Sequence, residues 1–105
     1  IMTAVKEDVS VTPKSFSLYQ NYPNPFNPTT TITYEIDRQG FVKLEIHDML
    51  GRRVRTLVSS FQMPGRYTMQ WDGRDESGRS VSSGIYLLRL QHDSSLLTKK
   101  MTLLK

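Results

Sequence analysis

Three carboxylates fall within the seven residues Asp72-Gly73-Arg74-Asp75-Glu76-Ser77-Gly78. Oxygen ligands gathered on a glycine-bearing loop are what a hard cation such as calcium takes. The run lacks the D-x-[DN]-x-[DN]-G register of an EF-hand. Arg74 and Arg79 partly neutralise it, and the turn-forming habits of Asp, Ser and Gly account for the same residues. Calcium at Asp72 and Asp75 is therefore a secondary reading, and no other cofactor is expected. The histidines, His47 and His92, stand 45 positions apart with no HxH, HExxH or carboxylate–histidine cluster around them, so zinc is not expected. His47-Asp48 beside a serine would be needed for a nucleophilic triad, but no G-x-S-x-G marks a nucleophile. Strand alternation places His47 on a solvent face, and both histidines are read as solvated. Tyr67, Met69 and Trp71 would make a sugar-stacking platform if exposed, although their spacing is that of core residues. Phosphate loops and dinucleotide fingerprints are absent. The residues point away from an enzyme.

The elements that position these residues have a period of two. Ile32, Tyr34 and Ile36 alternate with Thr33 and Glu35; Val42, Leu44 and Ile46 alternate with Lys43, Glu45 and His47; Tyr67, Met69 and Trp71 alternate with Thr68 and Gln70. Each set buries one face and wets the other, as antiparallel sheets do. Ile85–His92 and Leu96–Leu104 are more continuously apolar, Arg53–Val58 is a shorter candidate strand, and no segment carries a helical stripe. Asp37-Arg38-Gln39-Gly40, Asp48-Met49-Leu50-Gly51, Pro64-Gly65, and Gly78 with Gly84 supply turns between the strands. His92-Asp93-Ser94-Ser95 suits a tight hairpin. Six or seven short strands at this spacing predict an all-β sandwich or barrel.

A chain of 105 residues has room for one domain and one core. Residues 1–14 are polar, weakly patterned and carry Pro13, and read as a linker, with Val9–Val11 as a possible edge strand; the ordered domain is expected over 15–105. Opening on Ile1-Met2, the chain reads as a fragment of a longer protein. The net charge of +4 is spread along the chain, with small groups at Arg52-Arg53-Arg55 and Lys99-Lys100, so nucleic acid is not the expected partner. With no cysteine, disulfides and thiolate sites are excluded. No apolar run approaches the roughly 20 residues of a membrane-spanning helix, and membrane insertion is not expected.

The most unusual local feature is Asn24-Pro25-Phe26-Asn27-Pro28. Each proline drives the preceding asparagine out of helical space and withholds a donor from any sheet ladder. A stiff, extended segment is predicted, covering a sheet edge with the Tyr22 and Phe26 rings on the way into the first full strand.

The run Phe16-Ser17-Leu18-Tyr19-Gln20-Asn21-Tyr22-Pro23-Asn24-Pro25-Phe26-Asn27-Pro28-Thr29-Thr30-Thr31-Ile32 resembles the opening of type A C-terminal sorting domains of the type IX secretion system, found in Bacteroidetes and related phyla. The resemblance continues through Asp48-Met49-Leu50-Gly51-Arg52-Arg53-Val54, Trp71-Asp72-Gly73-Arg74-Asp75, Ser83-Gly84-Ile85-Tyr86 with Leu88-Arg89-Leu90, and Lys99-Lys100-Met101-Thr102-Leu103-Leu104-Lys105. It implies an immunoglobulin-like antiparallel β-sandwich of about seven strands behind a covalently linked N-terminal cargo. That cargo would pass through the periplasm and across the outer membrane to the medium or the cell surface. The implied partners are an outer-membrane translocon, which recognises the folded domain, and a sortase-like peptidase, which cleaves upstream. The positions it singles out for translocon recognition are Asn24, Pro25, Phe26, Asn27, Pro28, Gly84, Tyr86, Arg89, Lys99, Lys100 and Lys105. A monomer is the default for such a tethered module.

The Trp71-Asp72-Gly73 to Gly84-Ile85-Tyr86 region is also similar to the Ig-like domain of flagellar hook-capping proteins, which would make the chain an assembly module. The remaining alternative is an accessory module, carbohydrate-binding or spacer, of a secreted glycosidase or adhesin. For the sorting reading, Leu96–Leu104 at a sheet edge would offer backbone groups and the charges of Lys99 and Lys100 to a receptor groove. Alternatively, Met101 and Leu103 close the sandwich while the lysines guard its edge.

Overall fold

The structure, a computed structural model, describes Pro13 and residues 15–105. The predicted linker and the strand at Val9–Val11 lie outside the described residues, Pro13 excepted. Seven strands follow in order: β1 (Ser17–Leu18), β2 (Thr30–Ile36), β3 (Gly40–Asp48), β4 (Arg53–Gln62), β5 (Gly65–Trp71), β6 (Gly84–His92) and β7 (Ser95–Leu103). Among the described residues there is no helix. All pairs within the two sheets are antiparallel, one sheet ordered β1-β2-β5 and the other β4-β3-β6-β7.

The alternation read from the sequence sets the core. Ile32, Tyr34 and Ile36 of β2 face Val42, Leu44 and Ile46 of β3 and Leu88 and Leu90 of β6 in one cluster, closed by Met101 and Leu103 of β7. Each aliphatic side chain fully buried there contributes about 1.5–3 kcal/mol relative to exposure. Trp71 ends β5 at 1% exposure, between the rings of Phe26 and Tyr86, each 5.6 Å away. Its indole N–H donates to the Arg74 carbonyl at 2.9 Å. Buried and satisfied in this way, Trp71 offers no face to a sugar.

β4 runs four residues beyond the predicted Val58. Its second half, Ser59-Ser60-Phe61-Gln62, is too polar to read as a strand alone, yet the ladder to β3 carries it through Phe41↔Phe61 and Gly40↔Gln62. The β6–β7 hairpin has the expected two-residue turn, with His92 opposite Ser95 and Asp93 in the left-handed region at φ 55°. Asp tolerates that conformation better than most residues with a Cβ.

Both histidines correct the sequence reading, since neither is solvated. His47 keeps the face of Glu45, opposite Leu87 of β6, yet is buried at 8% exposure. The His47 ring lies between the Gly51 carbonyl, 3.2 Å from Nδ1, and the Glu45 carboxylate, 3.0 Å from Nε2. His92 keeps the inward parity of Tyr86, Leu88 and Leu90 and is 1% exposed, its ring 5.5 Å from Phe16.

Candidate recognition surface

β7 is an edge strand, and the proline-rich segment lies along its far half. The Phe26 N–H donates to the Thr102 carbonyl at 2.9 Å and the Leu104 N–H donates to the Phe26 carbonyl at 3.0 Å, a parallel bridge between Phe26 and Leu103. Asn24 Oδ1 accepts the Thr102 N–H at 2.9 Å, and Gln20 Nε2 donates to the Lys100 carbonyl at 2.7 Å. Residues 20–26 thus satisfy the outward backbone groups of β7 from Lys100 O to Leu104 N. Among the described residues no strand pairs with the outer edge of β7 from Leu96 to Thr98.

The predicted cover is therefore made differently. It does cover a sheet edge, that of the last strand, but the Phe26 backbone does the covering while its ring goes into the core. The Tyr22 ring covers nothing and is 80% exposed. Tyr22 exchanges both backbone hydrogen bonds with Thr31, at 3.0 and 2.8 Å, and that pairing sends its side chain to solvent. The Tyr22–Pro23, Asn24–Pro25 and Asn27–Pro28 peptides are cis.

Gly84 starts β6 opposite Leu103, Tyr86 is opposite Met101, and Arg89 is opposite Thr98. Tyr86 is buried, and its hydroxyl donates to the Ser82 carbonyl at 2.6 Å. The Lys105 N–H donates to Ser83 Oγ at 2.9 Å. Most of the singled-out positions therefore meet along β6, β7 and the docked Asn24-Pro25-Phe26. Asn27 and Pro28 lead away toward β2, where the Pro28 carbonyl lies against Gly73; a Cβ there would come within 3.2 Å of that oxygen, and Gly73 has a φ of 75°. Lys99 and Lys100 fall on opposite faces. Lys99 shares the inward parity of Leu97 and Met101 and is half-buried, whereas Lys100 is exposed on the outer face.

Sequence reasoning missed Gln20 and Asn21. Asn21 is buried, its Nδ2 donating to Thr30 Oγ1 at 2.9 Å and to the Pro23 carbonyl at 3.2 Å, which anchors the start of the proline-rich loop. The only signal in the sequence was their place directly ahead of Tyr22-Pro23.

The acidic loop is occupied with its own turn. Asp75 Oδ1 accepts from Ser77 Oγ at 2.7 Å and from the Ser77 and Arg79 N–H groups, each at 3.0 Å. The Ser77 hydroxyl, then the Arg79 backbone, hold this carboxyl below the ordinary aspartate range. The Asp72 carboxylate lies 3.7 Å from Arg74 Nε. Among the described residues no three His, Cys, Asp or Glu side chains gather as metal ligands.

The FlgD Ig-like domain model matches residues 26–95. The chain belongs to the FlgD Ig-like domain family. Its fold is shared with latent dimeric PorU from Porphyromonas gingivalis, at 24% identity and a TM-score of 0.68 over 90% of this chain and 10% of that one. PorZ, described as an essential bacterial surface component of the type IX secretion system of the same organism, aligns over 85% of this chain and 12% of its own, at 21% identity and a TM-score of 0.59. FlgD from Xanthomonas campestris aligns over 88% of this chain and 64% of its own, at 20% identity and a TM-score of 0.55. The chain thus spans about a tenth of the length of the two Porphyromonas proteins. No curated protein matches it.

Proposed function

We propose that this FlgD-type Ig-like domain is a non-enzymatic sorting module, directing a covalently linked cargo across the outer membrane through the type IX secretion system to the cell surface or medium. The observation that carries the reading is the convergence on β7. Segments far apart in sequence, Asn24–Phe26, Gly84–Arg89 and Lys99–Lys105, form one contiguous surface. They are the segments that the resemblance to sorting domains marks out. A receptor reading this surface would test the folded state, because the elements meet only after both sheets have closed. The fold shared with PorZ is consistent with a place in that secretion system.

The test is export of a reporter fused ahead of residues 15–105, in a host carrying the type IX machinery. Folded reporter outside the cell supports the proposal; folded reporter retained in the periplasm overturns it. Deleting Met101–Lys105 would be a poor control, since Met101 and Leu103 are fully buried and their loss opens the core.

A further inference from the structure

At the end of the sandwich where β6 begins, a groove runs between the Asp48–Arg52 turn and the Asp75–Tyr86 stretch. It consists of two adjoining basins of about 400 and 410 Å³ that share Asp48, Arg52, Val54 and Val81. Each is within the range of about 300–1,000 Å³ typical of ligand clefts. Arg53 and Arg79 line the first basin; Met49 and Ile85 line the second.

Formal charges around the groove cancel, but their placement does not. Asp48 holds its own turn, accepting from the Leu50 and Arg52 N–H groups at 2.9 Å each and from Arg52 Nε at 2.8 Å. Asp75 holds the facing turn, and Glu76 caps the Thr56 N–H at 2.9 Å. The Asp48 and Asp75 side chains are 22% and 30% exposed, against 74%, 60% and 84% for Arg52, Arg53 and Arg79. The Asp48 and Asp75 carboxylates thus point into their turns while the guanidinium groups stand outermost; Glu76 is exposed and engaged by the Thr56 N–H. Arg52 and Arg79 use only Nε within the described residues, leaving their terminal nitrogens as open donor forks suited to a bidentate carboxylate. At the second basin Met49 and Ile85 are 55% and 43% exposed, apolar surface beside the cationic stretch.

We propose that this groove binds an extended acidic peptide segment of a partner protein, with carboxylates on Arg52, Arg53 and Arg79 and an apolar side chain over Met49 and Ile85. An elongated double basin with cationic and apolar parts fits a peptide better than a lone phosphate, which would fill one part only. The groove adjoins the sorting surface at Gly84 and Tyr86, but its arginines lie outside that surface, so the proposal does not rest on the sorting reading.

The test is an NMR titration of the isotope-labelled 105-residue chain with a peptide of alternating aspartate and leucine. The lysine–leucine counterpart, inorganic phosphate and phosphatidylglycerol vesicles are the comparison ligands. Saturable binding of the acidic peptide, with shifts centred on Arg52, Val54, Arg79 and Val81 and weakening with salt, is the expected result. Arg52→Gln with Arg79→Gln should weaken it at least about tenfold, while Arg53→Gln, which gives up only a 3.8 Å contact to Glu45, should weaken it with no spectral change beyond Glu45 and His47. Lys100→Glu should leave it intact. Absence of saturable binding, shifts centred elsewhere, undiminished binding in both arginine variants, or preference for phosphate or vesicles would each overturn the proposal.

Discussion

Phe26 and Leu103 lie side by side as parallel partners although 77 positions separate them in the chain, joined through the Thr102 carbonyl and the Leu104 N–H. The proline-rich loop and the last strand are thereby one structural unit. The Phe26 ring adds to this from inside, against Trp71.

Phe26→Ala should cost about 3–5 kcal/mol, the usual range for an aromatic removed from a packed core, read as a lower urea midpoint. Asn24→Ala should cost about 1 kcal/mol for one lost hydrogen bond. Its local signature is faster amide exchange at Thr102, with the rest of β7 unchanged.

Because Lys99 and Lys100 face opposite sides of β7, a receptor approaching the outer face meets only Lys100. In the reporter fusion, Lys100→Glu should reduce export several-fold with an unchanged melting temperature. Lys99→Gln, on the opposite face, should leave export within about twofold of the parent, since a change away from a contact is usually near neutral. Equal export losses for the two variants would contradict the outer-face approach.

Burial pushes the Tyr34 hydroxyl up to about 12, although Gln62 accepts its hydrogen bond at 2.6 Å. A group raised in the folded state stabilises fully below its unfolded value of about 10 and loses that contribution as pH rises through the folded value. Stability should therefore fall by on the order of 2–3 kcal/mol between about pH 10 and 12 through this residue. Tyr34→Phe should lose less over the same window in alkaline denaturant titrations.

Asp48 and Asp75 are both held low by donors in their own turns, Asp48 chiefly by the Arg52 backbone N–H and Asp75 chiefly by the Ser77 hydroxyl. Their contributions are present above the unfolded aspartate value, near about 4, and vanish as pH falls through the lower folded values. Asp48→Asn with Asp75→Asn should flatten the acid limb of the stability–pH curve, measured by thermal melts below about pH 4.

Much of the fold was legible because burial follows parity. Ile32, Tyr34, Ile36, Val42, Leu44 and Ile46 announced one wet and one dry face, and all six are fully buried. What escaped was set by contacts that parity does not carry. His47 keeps the wet-face parity of Glu45, and its ring is buried by the Glu45 carboxylate and the Gly51 carbonyl that flank it. His92 obeys the alternation of β6, and only the expectation that histidines sit in water obscured it. Of the recognition surface, the sequence offered the segments but not their meeting. Hydrogen bonds from Gln20 to Lys100 and from Asn24 to Thr102 cross nearly the whole chain, and local propensity carries no trace of such pairings.

The clasp between residues 20–26 and 100–104 has a consequence for biosynthesis. Until Met101 and Leu103 have emerged from the ribosome, the sandwich lacks two fully buried side chains and the loop ahead of β2 has no strand to grip. Contacts of such long sequence separation form late. The nascent domain therefore stays open along one side until β7 is free to dock.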